Sequence, residues 1–314
     1  MNITILGGGS WGTALAIHLA RKQHQVKVWE FFPEQAEEMQ EKRVCRLLPE
    51  EKLPATITVS SQLGPVLSGS ELVIVAVPSD KVESAIIAAQ QFISRQPIIL
   101  ASKGFAAGAR LLSEVVKEHV SGEIYCLYGP THAEEVCRGQ FSGIVLAGGK
   151  GKTKLKKEIE SKDLKVELSN DIIGVQVAAA LKNVIAVLVG IIEGKSLGDN
   201  ARAYVMTKGL AEIKQLGRNW GARKETFYGL TGLGDLMVTC GSRHSRNFYV
   251  GKEVGKGRKL DQVLAEMNMV AEGVTTTKYI PELCRKFQIR LPLLEGTSAV
   301  LFEGKEIRAV LEEG

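Results

Sequence analysis

The chain has 314 residues, 45% hydrophobic and 24% charged, which is enough to bury the cores of two domains and excludes disorder as its main state. Forty basic against 35 acidic residues leave a formal charge of +5 spread over the whole sequence, and aromatics make up 6%, so neither nucleic acid nor another polyanion is expected as a partner. Five dispersed cysteines (Cys45, Cys126, Cys137, Cys240 and Cys284) without a Cys-x-x-Cys pair read as reduced thiols, with no zinc site, and the start Met1-Asn2-Ile3-Thr4-Ile5-Leu6 lacks the features of a secretory signal; a cytoplasmic protein is expected.

In chain order, short β-branched runs alternate with helical patterns as far as Leu168. The runs are Ile3 to Leu6, Val26 to Trp29, Leu72 to Val77, Ile98 to Ala101, Ile124 to Leu127, Gly143 to Ala147 and Val166 to Leu168. This alternation predicts βαβ units and an α/β, Rossmann-like parallel-sheet domain over residues 1–169. After Asn170 the spacing turns to threes and fours, which predicts an all-helical domain over residues 170–314. The apolar stretch Ile172 to Ile192 is long enough to span a membrane but carries Gln176, Lys182 and Asn183, so a buried helix is expected and no membrane span. The lysine-rich segment Lys150 to Lys157 runs directly into Glu158, Glu160 and Asp163, and reads as a solvated loop and helix start.

The first predicted strand runs into Gly7-Gly8-Gly9-Ser10-Trp11-Gly12, with a helical pattern immediately after it. In that context Gly7 permits a tight turn, Gly9 lets the backbone approach a pyrophosphate, and Gly12 lets helix pack closely on strand. The second strand ends in Glu30, 23 residues after Gly7, where a carboxylate can take the adenosine ribose hydroxyls and repel a 2′-phosphate. Phe31 and Phe32 follow in place of an arginine, which favours NAD, and Phe31 is counted with the cofactor-binding residues. Ligands of open parallel sheets bind beyond the carboxyl ends of strands, which draws attention to Pro78-Ser79, to Ser102-Lys103-Gly104 and to Gly129-Pro130-Thr131-His132-Ala133. Lys103 could hold a substrate oxygen or phosphate, or be an ordinary loop lysine. Thr131 and Glu134 have the spacing of a capping box.

In the later half, Lys182 sits in an apolar helix with Ala178, Ala179 and Ala186 within a turn of it. Burial would draw its pKa toward neutrality and fit it for proton transfer to a developing alkoxide; the alternative is a lysine snorkelling to the surface. The segment Tyr228-Gly229-Leu230-Thr231-Gly232-Leu233-Gly234-Asp235 spends glycines where backbone must come near something, and Asp235 could accept hydroxyl hydrogen bonds. Beyond it, in Ser242-Arg243-His244-Ser245-Arg246-Asn247, Arg246 offers a fork for phosphate, while Ser245 or Asn247 could equally be a helix cap. Metal catalysis has no supporting motif.

Taken together, Gly7 to Ala16, Ser102 to Gly104, Gly129 to Val136, Ala180 to Val184, Gly198 to Asn200, Gly232 to Leu236, Thr239-Cys240, Ser245 to Asn247 and Ala271 to Gly273 are familiar in order, and the chain resembles the bacterial NAD(P)-dependent glycerol-3-phosphate dehydrogenases over essentially its full length. The resemblance implies interconversion of dihydroxyacetone phosphate and sn-glycerol 3-phosphate for phospholipid synthesis, with NAD(H), and NADP(H) as a second cofactor, and a homodimer as the oligomer to consider. It makes Lys182 the proton donor and acceptor. It assigns substrate contacts to Lys103, Gly129, Thr131, Asp235, Arg246 and Asn247, with Asn183, Thr239 and Ser245 in support. It assigns cofactor contacts to Ser10, Trp11, Lys103, Ala133, Arg246, Val270 and Glu272, beside Gly7, Gly9, Gly12 and Glu30. The chain departs from the family pattern at Val44 to Pro49, where relatives carry Asn-x-x-Tyr-Leu-Pro, as well as at Phe31, Gln176 and Lys208. Rival readings are a dehydrogenase of another small hydroxy acid or phosphorylated polyol, which would not need Arg246, and a non-catalytic NAD(H) sensor.

Overall fold

The computed structural model describes residues 1–242, 244–267 and 270–314, so Arg243 of the basic segment lies outside the described residues. The chain forms two compact units, Met1–Ser102 with Leu112–Ile172, and Lys103–Leu111 with Ile173–Gly314. The excursion at 103–111 places Lys103 and its following loop with the helical unit.

The first unit is built on strands β1 (Asn2–Leu6), β2 (Gln25–Trp29), β3 (Val44–Cys45), β4 (Leu48–Lys52), β5 (Ile57–Ser60), β6 (Leu72–Val75), β7 (Ile98–Leu100), β8 (Ile124–Tyr128), β9 (Ser142–Gly148) and β10 (Leu164–Ser169). Eight of them make one sheet in the order β10-β9-β8-β7-β6-β1-β2-β5, while β3 and β4 form a separate hairpin. The central strands are buried along nearly their whole length, with Leu72 to Val75 at 0% exposure, which explains their continuous rather than alternating apolar runs. Strand order reverses between β1 and β6, and the glycine-rich turn leaves the sheet at that point, where open α/β sheets bind ligands.

Three features correct the expectation of a simple run of βαβ units. β9 pairs antiparallel with β8, although β10 returns parallel to β9. The connection over residues 129–141 holds only the short helix Ala133–Cys137, too little to carry the chain across the sheet, so it re-enters from the end it left. β5 and the β3–β4 hairpin were not among the predicted strands. β3 and β5 are only two and four residues long and β4 is rich in charge, and each takes its stability from neighbours: Ile57 and Val59 of β5 and Cys45 and Leu48 of the hairpin are buried in the same core. The capping box is not formed. Thr131 Oγ1 donates instead to Gly129 O at 3.2 Å, and the cap position of the helix Ala133–Cys137 falls on His132, with no side-chain capping bond.

The second unit is helical around Ile172–Gly194. That helix is apolar enough to cross a membrane, with a mean hydropathy of 2.1, but 89% of its most apolar stretch is buried. A second helix, Arg246–Gly255, lies against it backbone to backbone. A Cβ on Gly190 would stand 2.2 Å from Phe248 O, on Gly194 2.2 Å from Lys252 O, on Gly251 2.0 Å from Val187 O, and on Gly255 2.4 Å from Ile191 O. Two glycines four apart on each helix therefore create the crossing, because any side chain at these places would drive the helices apart. The lysine-rich segment becomes the helix Lys152–Ile159, which buries only Leu155 and Ile159.

Candidate active site

In the first unit, the helix Ser10–Arg21 begins directly after the glycine turn, with Gly9 as its cap. Gly7 has φ +120°, and a Cβ there would come 2.8 Å from the backbone of Ala76, on β6's side of the strand-order reversal; a Cβ on Gly12 would lie 2.0 Å from Gly7 O. Gly9 faces open space, with no atom within 4 Å of a notional Cβ. The turn is thus closed by glycine on its inner side and open where an anion would meet the helix's free amides. Trp11 Nε1 is buried with no hydrogen-bond partner, an orphaned donor beside the turn. Glu30, at the end of β2, is 8% exposed, and its Oε1 accepts from Phe32 N at 3.1 Å. Phe31 is 65% exposed. The open turn, the unpartnered indole N–H and the strand-end carboxylate fit a dinucleotide. Ser10 is buried in the helix's first turn, while Gly129, Thr131 and Ala133 lie past β8 in this same unit.

In the second unit, four polar side chains expected to serve the reaction converge in an otherwise apolar core. Lys182 Nζ donates to Asp235 Oδ1 at 2.6 Å and to Thr239 Oγ1 at 2.6 Å. Lys103 Nζ donates to Asp235 Oδ2 at 2.8 Å. Thr239 in turn donates its hydroxyl proton to Asp235 O at 2.6 Å, which leaves a lone pair facing the lysine. Lys182 is buried, so the snorkelling alternative does not hold. Burial, reinforced by the nearby Lys103 ammonium and opposed by Asp235, brings its pKa down to about 8.

The local backbone explains how Asp235 reaches this position. Leu230–Gly234 is a single π-helical turn leading into the helix Asp235–Gly241, and such turns re-aim side chains where a regular helix would not. Gly232 is required there, since a Cβ would meet Phe227 O at 2.1 Å.

A second polar chain runs beside the cluster. Asn183 Nδ2 donates to Ala179 O at 3.3 Å, Asn247 Nδ2 donates to Asn183 Oδ1 at 2.9 Å, and Gly273 N donates to Asn247 Oδ1 at 2.9 Å. Both asparagines are thereby held in fixed orientation on the glycine-lined helix crossing. Ser245 caps the helix Arg246–Gly255, accepting from Phe248 N at 3.2 Å, so the cap reading accounts for its position. Arg246 Nη1 donates to Val270 O at 3.1 Å, just before the helix Glu272–Thr277.

Sequence reasoning missed the glycine crossing, whose signal was the pair of Gly-x-x-x-Gly spacings. Arg46, to which the sequence gives no role, lines a cavity of about 100 Å³ with Gly8, Gly9 and Glu30.

The profile of the NAD-dependent glycerol-3-phosphate dehydrogenase N-terminal domain matches residues 2–154, and that of the C-terminal domain matches residues 171–312. A glycerol-3-phosphate dehydrogenase [NAD(P)+] of Pelodictyon phaeoclathratiforme is 39% identical, the match covering 99% of this chain and 97% of the relative. One from Enterococcus faecalis is 40% identical over 99% of this chain and 94% of its own. The crystal structure of a glycerol-3-phosphate dehydrogenase from Coxiella burnetii, 33% identical, superposes with a TM-score of 0.96 over 99% of this chain and 97% of that one. The chain belongs to the NAD-dependent glycerol-3-phosphate dehydrogenase family.

Proposed function

We propose that this protein reversibly reduces dihydroxyacetone phosphate to sn-glycerol 3-phosphate, a glycerophospholipid precursor, using NAD(H) in preference to NADP(H). The carrying observation is Lys182, buried, held by Asp235 and Thr239 and with its pKa drawn to about 8. A pure dinucleotide sensor has no use for a proton donor poised in this way. The first unit is assigned to the dinucleotide and the second to substrate and proton transfer. Gly7, Gly9 and Gly12 shape the turn for the pyrophosphate, with Ser10 and Trp11 at the helix start, and Glu30 takes the ribose hydroxyls beside Phe31.

When bound, the nicotinamide supplies or accepts the hydride. The chain's own contribution is to the substrate oxygen. An ammonium has three N–H bonds, and Lys182 directs two of them to Asp235 and Thr239, which leaves the third for the carbonyl oxygen of the ketone. As the oxygen gains charge Lys182 protonates it, and in the reverse direction the amine takes the proton back. Asp235 offsets the charge of both lysines, so Lys103 can bind a substrate oxygen without two bare cations facing each other in the core. Arg246 receives the phosphate with a planar fork, supported by Asn247, while Gly129, Thr131, Ala133, Val270 and Glu272 complete the substrate and cofactor contacts. Five buried free cysteines suit a reducing cytoplasm. A homodimer is the assembly to test by sedimentation.

The deciding experiment follows NADH and NADPH oxidation on adding dihydroxyacetone phosphate, with unphosphorylated dihydroxyacetone as control. Turnover confined to the phosphate ester and faster with NADH is expected. Equal turnover of both ketones would remove the phosphate assignment, and no turnover with either cofactor would remove the reaction.

A further inference from the structure

The hairpin of β3 and β4 lies beside the glycine turn of the first unit. Cys45 and Leu48 anchor it in the core of the first unit, and Cys45 Sγ donates to Gly8 O at 3.5 Å, which ties the hairpin to the glycine turn. Arg46 stands at the hairpin's tip, exposed, and lines the cavity of about 100 Å³ that Gly8, Gly9 and Glu30 also line. Two other cations nearby are already engaged. Lys42 donates to Glu38 at 2.7 Å, and Arg43 Nη2 donates to Ile57 O at 2.8 Å. Arg46 makes no hydrogen bond or ion pair among the described residues, and its charge is felt only weakly by Glu38. Glu30 Oε1 accepts from Phe32 N at 3.1 Å, and the carboxylate lies over Gly8, where a Cβ would come 2.6 Å from Glu30 Oε2, so only glycine at position 8 leaves it this place beside the turn.

From this arrangement we infer that Arg46 is a specificity residue: its guanidinium receives the 2′-phosphate of NADP(H), so this chain's choice between the two cofactors is a balance between Glu30 and Arg46. The inference rests on the dinucleotide reading of the first unit. Glu30 alone would repel a phosphate dianion at the ribose, and a guanidinium is the side chain whose planar donors best match phosphate oxygens. A phosphate-binding arginine usually follows the second strand directly. Here Phe31 and Phe32 occupy that stretch, and the cation arrives instead from a separate hairpin.

The test is equilibrium binding, by calorimetry, of adenosine 2′,5′-bisphosphate and adenosine 5′-monophosphate, and of NADP⁺ and NAD⁺, to the full chain and to Arg46→Gln, Glu30→Gln and Lys52→Gln. In Arg46→Gln the affinity ratio of the 2′-phosphorylated to the unphosphorylated ligand should fall at least about tenfold, the scale of one lost charge-assisted contact. In Glu30→Gln the same ratio should rise. Lys52→Gln removes an exposed charge from the same hairpin and should leave the ratio within about twofold, a change too small to represent a direct contact. An unchanged ratio in Arg46→Gln, or an equal fall in Lys52→Gln, would overturn the inference while leaving the dinucleotide site standing. Failure of the unmodified protein to bind any of the four ligands would overturn both.

Discussion

The two units present their polar groups by opposite means. In the first, the glycine turn offers main-chain amides, and its specificity lies in what is missing, since side chains at Gly7 and Gly12 would strike backbone at 2.8 and 2.0 Å. In the second, the groups proposed to act are side chains brought together in an apolar core, with Lys182 and Lys103 gathered on the single carboxylate of Asp235 and Thr239 bonded to its main-chain oxygen. A main-chain site needs little more than a short segment with the right dihedral freedom. A side-chain site needs partners from distant segments, because a buried charge without them is too costly to keep. The comparison predicts that binding and chemistry in this protein can be damaged separately.

The largest expected effect tests that separation. Lys182→Ala should lower turnover by about 10² to 10⁴-fold while NADH affinity, read by fluorescence titration, stays within about twofold, since general acid catalysis contributes on that scale. Loss of NADH binding in that variant would show that the two regions are not separable. Arg246→Ala should reduce kcat/KM for dihydroxyacetone phosphate by about 10- to 100-fold, as expected for a charge-assisted phosphate contact, with the change mainly in KM. A fall in kcat alone would give Arg246 a different task.

The pH dependence sharpens the assignment of the proton. Ketone reduction requires the ammonium form of Lys182, so its rate should decline by about tenfold per unit above the pKa of about 8, and alcohol oxidation, which requires the amine, should rise toward that pH from below. Residual turnover in Lys182→Ala should lack this limb. The smallest effect concerns the main-chain site. Gly12→Ala places a methyl 2.0 Å from Gly7 O and should cost about 1–3 kcal/mol, lowering Tm by about 2–10 °C, together with weaker NADH binding. An unchanged melting curve with normal NADH affinity would show that the turn can yield, against the reading of its glycines.

What could be read directly from the sequence was what local physics controls. Buried central strands appear as apolar β-branched runs, the dinucleotide turn as glycines between a strand and a helix, and Lys182 as a charge in a helix too apolar to need one. These follow from propensity, backbone freedom and the cost of burial, which depend on near neighbours in the chain. The cluster was legible only as separate pieces. Lys103 and Asp235 are 132 positions apart, and Lys182 and Asp235 are 53 apart, so their meeting is a property of packing. The same holds for the direction of β9, where sequence marks a strand but only the short connection through Ala133–Cys137 determines which way it runs. It holds too for Arg46, an ordinary hairpin residue until the thiol of Cys45 brings its loop to Gly8. Local sequence therefore determined the elements and the kinds of chemistry available. Tertiary structure decided which groups share a site, because hydrogen bonds and ion pairs depend on distance in space and carry no record of separation along the chain.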